Sequence, residues 1–181
     1  MTGLVRGEAG AFDAVFAAYR ARIFGYLARM TGRRDLAEDL TQEVFLRLAR
    51  SARGLRPDTR LRGWLFTVAH NVLVSHARAA RATAALASEL ADHPAATGAT
   101  PFEALADSAT QHRVERALAA LPASYREVIL LVAIEGLAAG DAGAALGLSA
   151  EAVRQRLSRA RSMLAPALDP DARTTASGRT S

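Results

Sequence analysis

Apolar positions recur along this chain with the spacing of an α-helix, and no stretch alternates as a strand would. Residues 10–30 read as one helix, broken by Gly32. A second begins at Asp35, whose carboxylate is placed to cap it, with Glu38 three residues on in a capping-box arrangement. Gly54, Pro57 and Asp58 make a loop, and a third helix follows over about 59–81. A second set of helices covers about 109–121, stopped by Pro122, then 123–135, stopped by Gly136, then 138–146, ended by Gly147. Ser149 is placed to cap a last helix that runs to about residue 165. The pattern predicts an all-α protein of two small helical domains.

The faces of three helices carry the candidate chemistry. In DLAEDLTQEVFLRLAR, residues 35–50, Leu36, Ala37, Leu40, Val44 and Leu48 fall within one stripe and predict the buried side. Glu38, Asp39, Gln42 and Glu43 lie opposite, together with Phe45 and Leu46. Helix geometry leaves two readings open. One is a solvated acidic face whose two apolar residues are covered by a neighbouring helix. The other is a protein-docking face, apolar anchors ringed by charge and aimed at a basic partner.

The run TRLRGWLFTVAHNVLVSHARAAR, residues 59–81, puts Trp64, Leu65, Val68, Ala69, Val72 and Leu73 on its apolar side. Arg60, Thr67, His70, Asn71, Arg78 and Arg81 gather on the other, with no acid among them. Guanidinium, amide and imidazole groups in one stripe suit phosphates and base edges. His76 falls towards the apolar side and reads as structural. His70 and His76 stand six apart, off the spacing that places two ligands on one helical face, so no metal site is expected.

Residues 138–146, a glycine-containing turn and then LSAEAVRQRLSRARSML have the form of a helix-turn-helix. Val153, Leu157, Ala160 and Leu164 make a narrow apolar seam on the last helix. Arg154, Gln155, Ser158, Arg159 and Ser162 face away from it, with Arg156 and Arg161 at the flanks. An N-terminus aimed into a major groove would bring Glu151, Arg154 and Gln155 nearest the bases and later arginines to phosphates.

Charge sharpens the division. Residues 1–81 carry 14 arginines against 7 acids, residues 82–112 carry 4 acids and no arginine, and residues 113–165 carry 7 arginines against 5 acids. Two basic modules thus flank an acidic, Thr/Ala-rich connector. The small polar residues from Pro166 onward read as a disordered tail. All 23 basic residues are arginine, net charge is +5, and the sequence pI near 10.8 points to a polyanionic partner. With no cysteine there is neither a disulfide nor a thiolate metal site. No signal-peptide order and no membrane-length apolar run occur, which predicts a soluble cytoplasmic protein. No glycine-rich phosphate loop, zinc-protease pattern or defensible Ser-His-Asp order is present, so neither catalysis, a cofactor nor a small-molecule substrate is expected.

In that order and spacing, DLAEDLTQEVFLRL, LRGWLFTVAHNVLVSHAR, LPASYREVILL and AVRQRLSRAR resemble the bacterial extracytoplasmic-function sigma factors, over about residues 11–165. The resemblance implies a region 2 bundle over 1–82, a flexible linker over 83–111, a region 4 helix-turn-helix over 112–165 and a tail over 166–181. It implies core RNA polymerase as partner, through its β′ clamp helices and β subunit, with promoter DNA and an anti-sigma factor as further partners. Asp39, Gln42, Glu43 and Phe45 match the positions that dock on polymerase. Arg60, Arg62, Trp64, Thr67, His70, Asn71 and Arg78 would engage the −10 element. Glu151, Arg154, Gln155, Arg156, Ser158 and Arg159 would read the −35 element. The acidic linker would pass along the RNA exit path.

The chain departs from the family pattern at several positions. Ala142 and Gly143 replace a bulky aliphatic followed by alanine, with Gly140 just before. A large core side chain missing there costs about 2–5 kcal/mol unless a neighbour fills the gap. Ser75 stands for a frequent Asp and His70 for a common Arg, and Glu151-Ala152-Val153 replaces Gly-Thr-Val. An ordinary helix-turn-helix repressor or activator is the competing reading, against which the acidic helix and the amide-bearing helix argue.

Overall fold

A computed structural model describes residues 2–88 and 109–168. Among them are eight α-helices and no strand: α1 (Thr2–Arg6), α2 (Ala11–Thr31), α3 (Arg34–Ser51), α4 (Leu61–Ser88), α5 (Ala109–Ala120), α6 (Ala123–Val128), α7 (Ala139–Leu146) and α8 (Ala150–Leu168). The short α1 has no counterpart in the sequence reading; Leu4 pins it to the core. Most of the expected connector, and the tail from residue 169, lie outside the described residues. Helix α4 runs seven residues past the expected end, and α8 continues through Pro166 to Leu168.

Gly32 ends α2 as expected. It adopts φ +68°, a left-handed conformation that costs glycine nothing, and its N–H donates to the Ala28 carbonyl at 2.9 Å. The start of α3 differs from the capping-box expectation. Arg33 occupies the cap position and no side chain caps the helix. Asp35 sits inside the first turn and pairs with Arg33 instead. That pairing, first, and the helix-start N–H of Leu36 hold its carboxyl below the usual range.

The expected helix over 123–135 is α6 followed by a π-helical segment, Ile129–Ile134, which stops at Gly136. Four consecutive residues, Val128 to Leu131, are buried. A segment buried all round must serve two cores at once. Val128, Leu130 and Leu131 join one core, while Ile129 joins a second with Ala117, Leu118, Leu121, Ala160 and Leu164 of α5 and α8.

The larger core is shared by both modules. Ile23, Tyr26 and Leu27 of α2, Val44 and Leu48 of α3, and Leu65, Phe66 and Ala69 of α4 are continuous with Val128, Leu131, Ala142 and Val153. Phe66, left off the apolar side in the sequence reading, is fully buried and meets Tyr26 edge-on at 5.6 Å. The reason is tertiary: α4 is covered on two sides, by α2 and α3 on one and by α7 on the other.

The unusual Ala142-Gly143 pair fits this packing. Ala142 and Ala145 are buried where a larger side chain would hold the helices apart. A Cβ on Gly143 would stand 2.5 Å from the Leu148 carbonyl oxygen, far inside van der Waals contact. The Gly143 carbonyl accepts from the N–H groups of Gly147 and Leu148, the latter at 2.9 Å, which closes the turn into α8 in a Schellman arrangement. Small residues at these positions let α7 pack between α4 and α8.

Candidate nucleic-acid interface

Helix α8 presents its polar face to solvent. Ser149 caps it as expected, its Oγ accepting the Ala152 N–H at 3.1 Å. Val153 and Ala160 are buried, so Glu151, Arg154, Gln155, Ser158 and Arg159 point outward, and Arg156 is half-buried at the flank. Arg154 donates to Glu151 at 2.6 Å, and Gln155 donates to the same carboxylate at 3.3 Å. The Arg154 bond is the main cause that depresses the Glu151 pKa. The three groups expected nearest the bases thus hold one another in place at the helix entrance.

Helix α4 differs. Asn71 and Arg78 are exposed, as expected of a promoter-facing stripe, while Thr67 is partly buried and bonds back to the Gly63 carbonyl. Trp64 is half-buried against the core, in line with its helical phase. His76 is exposed rather than turned to the core, because α4 extends beyond its neighbours at that level.

The remaining α4 candidates are held by the second module. His70 Nδ1 lies 2.7 Å from Glu127 Oε1, which also accepts the Tyr26 hydroxyl at 2.5 Å. Burial, then the Glu127 charge, pushes the Tyr26 phenol well above its ordinary pKa, so it remains a donor. Arg60 reaches Asp141 at 3.2 Å, and Arg62 donates to the Glu135 carbonyl at 3.0 Å. A cleft of about 420 Å³ opens where Tyr19, Arg60, Arg62 and Gly63 meet Leu137 and Asp141.

Two further pairs tie the modules together. Arg29 binds Glu115 through Nε and Nη2, at 2.7 Å for the shortest bond, with both side chains largely buried. Arg22 Nε donates to the Glu135 carboxylate at 2.8 Å and its Nη2 to the Glu135 carbonyl at 3.1 Å. Glu135 is only 6 % exposed, and burial raises its pKa despite the opposing pull of Arg22. Arg126 reciprocates from the second module, donating to the Arg29 carbonyl while capping Ala119 and Leu121 at the end of α5.

On α3 the acidic face is as expected, with one correction. Asp39 and Gln42 are exposed, and Glu43, partly exposed, pairs with Arg47 at 2.7 Å. Phe45 is not an exposed anchor: it is 4 % exposed, with Phe16 edge-on at 4.8 Å and Phe12 at 6.5 Å. The α2 aromatics are a neighbouring helix's cover for Phe45, which the solvated-face reading expects of both apolar residues. Leu46 is the apolar residue that remains, 50 % exposed and one turn from Gln42 and Glu43. Helical phase had put it on this face; only the packing of α2 separates it from Phe45.

Among the described residues no three His, Asp or Glu side chains gather into a metal-holding group, and no helix is long and apolar enough to cross a membrane.

Two family matches agree with this division: Sigma-70 region 2 over residues 15–83 and Sigma-70, region 4, over residues 111–164. The chain is 35% identical over 153 residues to RNA polymerase sigma factor CarQ of Myxococcus xanthus, covering 84% of this chain and 86% of that protein. It is 34% identical over 141 residues to RNA polymerase sigma factor CnrH of Cupriavidus metallidurans, covering 74% of each. Its fold matches the structure of CnrH in complex with the cytosolic domain of CnrY, with a TM-score of 0.65, 28% identity and coverage of 94% and 95%. It also matches sigma factor RpoE in complex with the anti-sigma factor NepR from Bartonella quintana, with a TM-score of 0.72, 24% identity and coverage of 90% and 99%. With both regions matched in order on helices that present an acidic and a basic face, the chain belongs to the extracytoplasmic-function sigma factors, the promoter-recognising subunits of transcription initiation.

Proposed function

We propose that the three helical faces divide the work of initiation. The acidic face of α3 docks on the β′ clamp helices of core polymerase through Asp39, Gln42 and Glu43, with Leu46 as its apolar anchor in place of Phe45. Arg60, Arg62, Trp64, Thr67, His70, Asn71 and Arg78 engage the −10 element, where an extruded base needs a stacking or hydrogen-bonding edge. Glu151, Arg154 and Gln155 read the −35 duplex, while Arg156, Ser158 and Arg159 hold its backbone, with the β subunit alongside. Residues 1–82 and 112–165 act as the two promoter-binding domains, joined by the acidic linker over 83–111. The protein works in the cytoplasm, without catalysis and without a cofactor. The complex of CnrH with the cytosolic domain of CnrY supports a further protein partner, an anti-sigma factor, for this chain.

The observation that carries this reading is the opposition of charge between α3 and α8. A face bearing Asp39, Gln42 and Glu43 repels DNA, so on a protein with pI near 10.8 it calls for a second, basic partner. Run-off transcription with purified core polymerase and a genomic promoter library tests it: new start sites should appear only when the protein is added. Specific duplex binding without polymerase, and no new start sites, would favour an ordinary regulator. Asp39→Arg with Gln42→Ala should weaken polymerase binding by about tenfold or more, since reversing a charge at an interface adds repulsion to a lost contact. A pull-down titration with unchanged affinity would remove α3 from the interface.

A further inference from the structure

We propose that Glu151 is a specificity-determining residue of α8: it holds Arg154 by one edge of the guanidinium and so commits the other edge to a guanine in duplex DNA. The inference rests on the assignment of α8 to the −35 element, and it names a base which that element must contain.

The pattern of bonds carries it. Arg154 donates to Glu151 Oε2 through Nε at 3.1 Å and through Nη2 at 2.6 Å. These two nitrogens make up the side edge of the planar guanidinium fork. The end edge, Nη1 together with the second Nη2 hydrogen, keeps two parallel N–H donors. Two parallel donors match N7 and O6 of guanine, which are both acceptors in the major groove. Adenine sets an amino donor beside its N7, cytosine presents an amino donor, and thymine offers one acceptor beside a methyl group. Each of these leaves at least one Arg154 donor unpaired.

Glu151 therefore acts through Arg154, as a positioning residue. It is itself braced. Gln155 donates to its Oε1 at 3.3 Å, and it sits in the first turn of α8, where the helix favours a negative charge. The Arg154 bond holds its carboxyl below the usual glutamate range, so it is charged at neutral pH.

The other arginines of α8 supply the contrast. Among the described residues Arg156, Arg159 and Arg161 pair with no carboxylate, whereas Arg154 does. An unheld guanidinium settles readily on a phosphate, whose full charge attracts it whatever the sequence. Arg154 released from Glu151 would do the same. The pair is solvent-exposed, 60% and 61%, and adds little to the stability of the fold. Its effect is to favour one orientation of Arg154 and to repel a phosphate from that position.

The test uses holoenzyme rebuilt from core polymerase and the full-length chain, with a promoter library randomised only at the −35 element and read from the transcripts. With the natural chain, one position should favour guanine by about tenfold or more over the other bases. Arg154→Ala should erase that preference and so identify the position. Glu151→Gln keeps the shape and removes the charge. It should lower the guanine preference several-fold at that position alone, and raise binding to promoters that lack the guanine as the freed Arg154 gains a phosphate. In the Arg154→Ala background, Glu151→Gln should change nothing further there. A guanine preference unchanged by Glu151→Gln, or a loss spread equally over all positions, overturns the inference while α8 keeps its −35 assignment. Arg154→Ala relaxing no position overturns it as well. A natural chain that selects no −35 sequence overturns the assignment of α8 and this inference together. Glu151→Ala, judged by the same outcomes, decides the matter should Glu151→Gln not fold.

Discussion

Helices α4 and α8 both carry arginine-rich polar faces assigned to promoter DNA, yet they stand in different surroundings. The face of α8 is open, its charges balanced only within the helix by Glu151. The first half of the α4 face is engaged across the module boundary, His70 by the Glu127 carboxylate, Arg62 by the Glu135 carbonyl and, just before the helix, Arg60 by Asp141. Under the proposed assignment, α8 meets duplex DNA with its polar face already in solvent, whereas Arg60, Arg62 and His70 already have protein partners. The lesson is that an uninterrupted cationic stripe in a sequence marks a demand for anions, and the protein itself can meet that demand.

The largest effect that tests this contrast comes from the shared core. Leu131 is fully buried in the π-helical segment, within the larger core that both modules share. Leu131→Ala should cost about 2–5 kcal/mol, the usual range for truncating a buried leucine. Because the larger core is continuous, the natural chain should unfold in one transition and the variant in one transition at lower temperature. Two separate transitions in calorimetry, with the second module melting alone, would break the claim that closure is part of the fold.

How much of this was legible beforehand follows from where each signal resides. Helices are local, so α2, α4 and α8 could be placed from their periodicity, and the Ser149 cap from one residue type. Family motifs are ordered along the chain, so both regions could be named. Burial of Phe45 depends on Phe12 and Phe16, about thirty residues away in sequence, and single-helix phase cannot see that contact. The ion pairs across the boundary are less visible still. Glu115, Glu127 and Asp141 read as ordinary surface acids until α4, α2 and the second module are brought together.

A smaller effect should touch α8 and spare α4. Gly143→Ala places a methyl group 2.5 Å from the Leu148 carbonyl oxygen, so the turn into α8 must open. The expected cost is about 1–3 kcal/mol, typical of overpacking at a tight contact. Binding to a −35 duplex should weaken as Glu151 and Arg154 lose their alignment, while Trp64 quenching by single-stranded DNA stays as in the parent or improves. Equal duplex binding in the variant would show that this departure from the family pattern has no part in setting the helix-turn-helix.

The smallest effect is a matter of pH and of sign. Glu135 faces Arg22 on α2, Arg62 on α4 and, at longer range, Arg29, all of which favour its charged form, yet burial outweighs them and its pKa is raised. A carboxyl whose pKa is higher folded than unfolded binds more protons when folded, so this site contributes stability as pH falls and loses it as pH rises. The window opens just above the ordinary glutamate value, about 4.3, and extends upward from there. Asp35 and Glu151 run the opposite way, their depressed pKa values giving up stability as pH falls, so the slope of the natural chain alone mixes the two signs. Comparison with Glu135→Gln removes them, since both proteins share those groups. The Glu135 carbonyl, which holds Arg22 and Arg62, is kept in the variant. The stability difference between parent and variant should therefore shift in favour of the parent as pH is lowered through that window. A difference that is flat, or that shifts the other way, would mean that Arg22 fully compensates the buried charge, and that the Glu135 carboxylate joins the other α2 bonds in fastening the boundary.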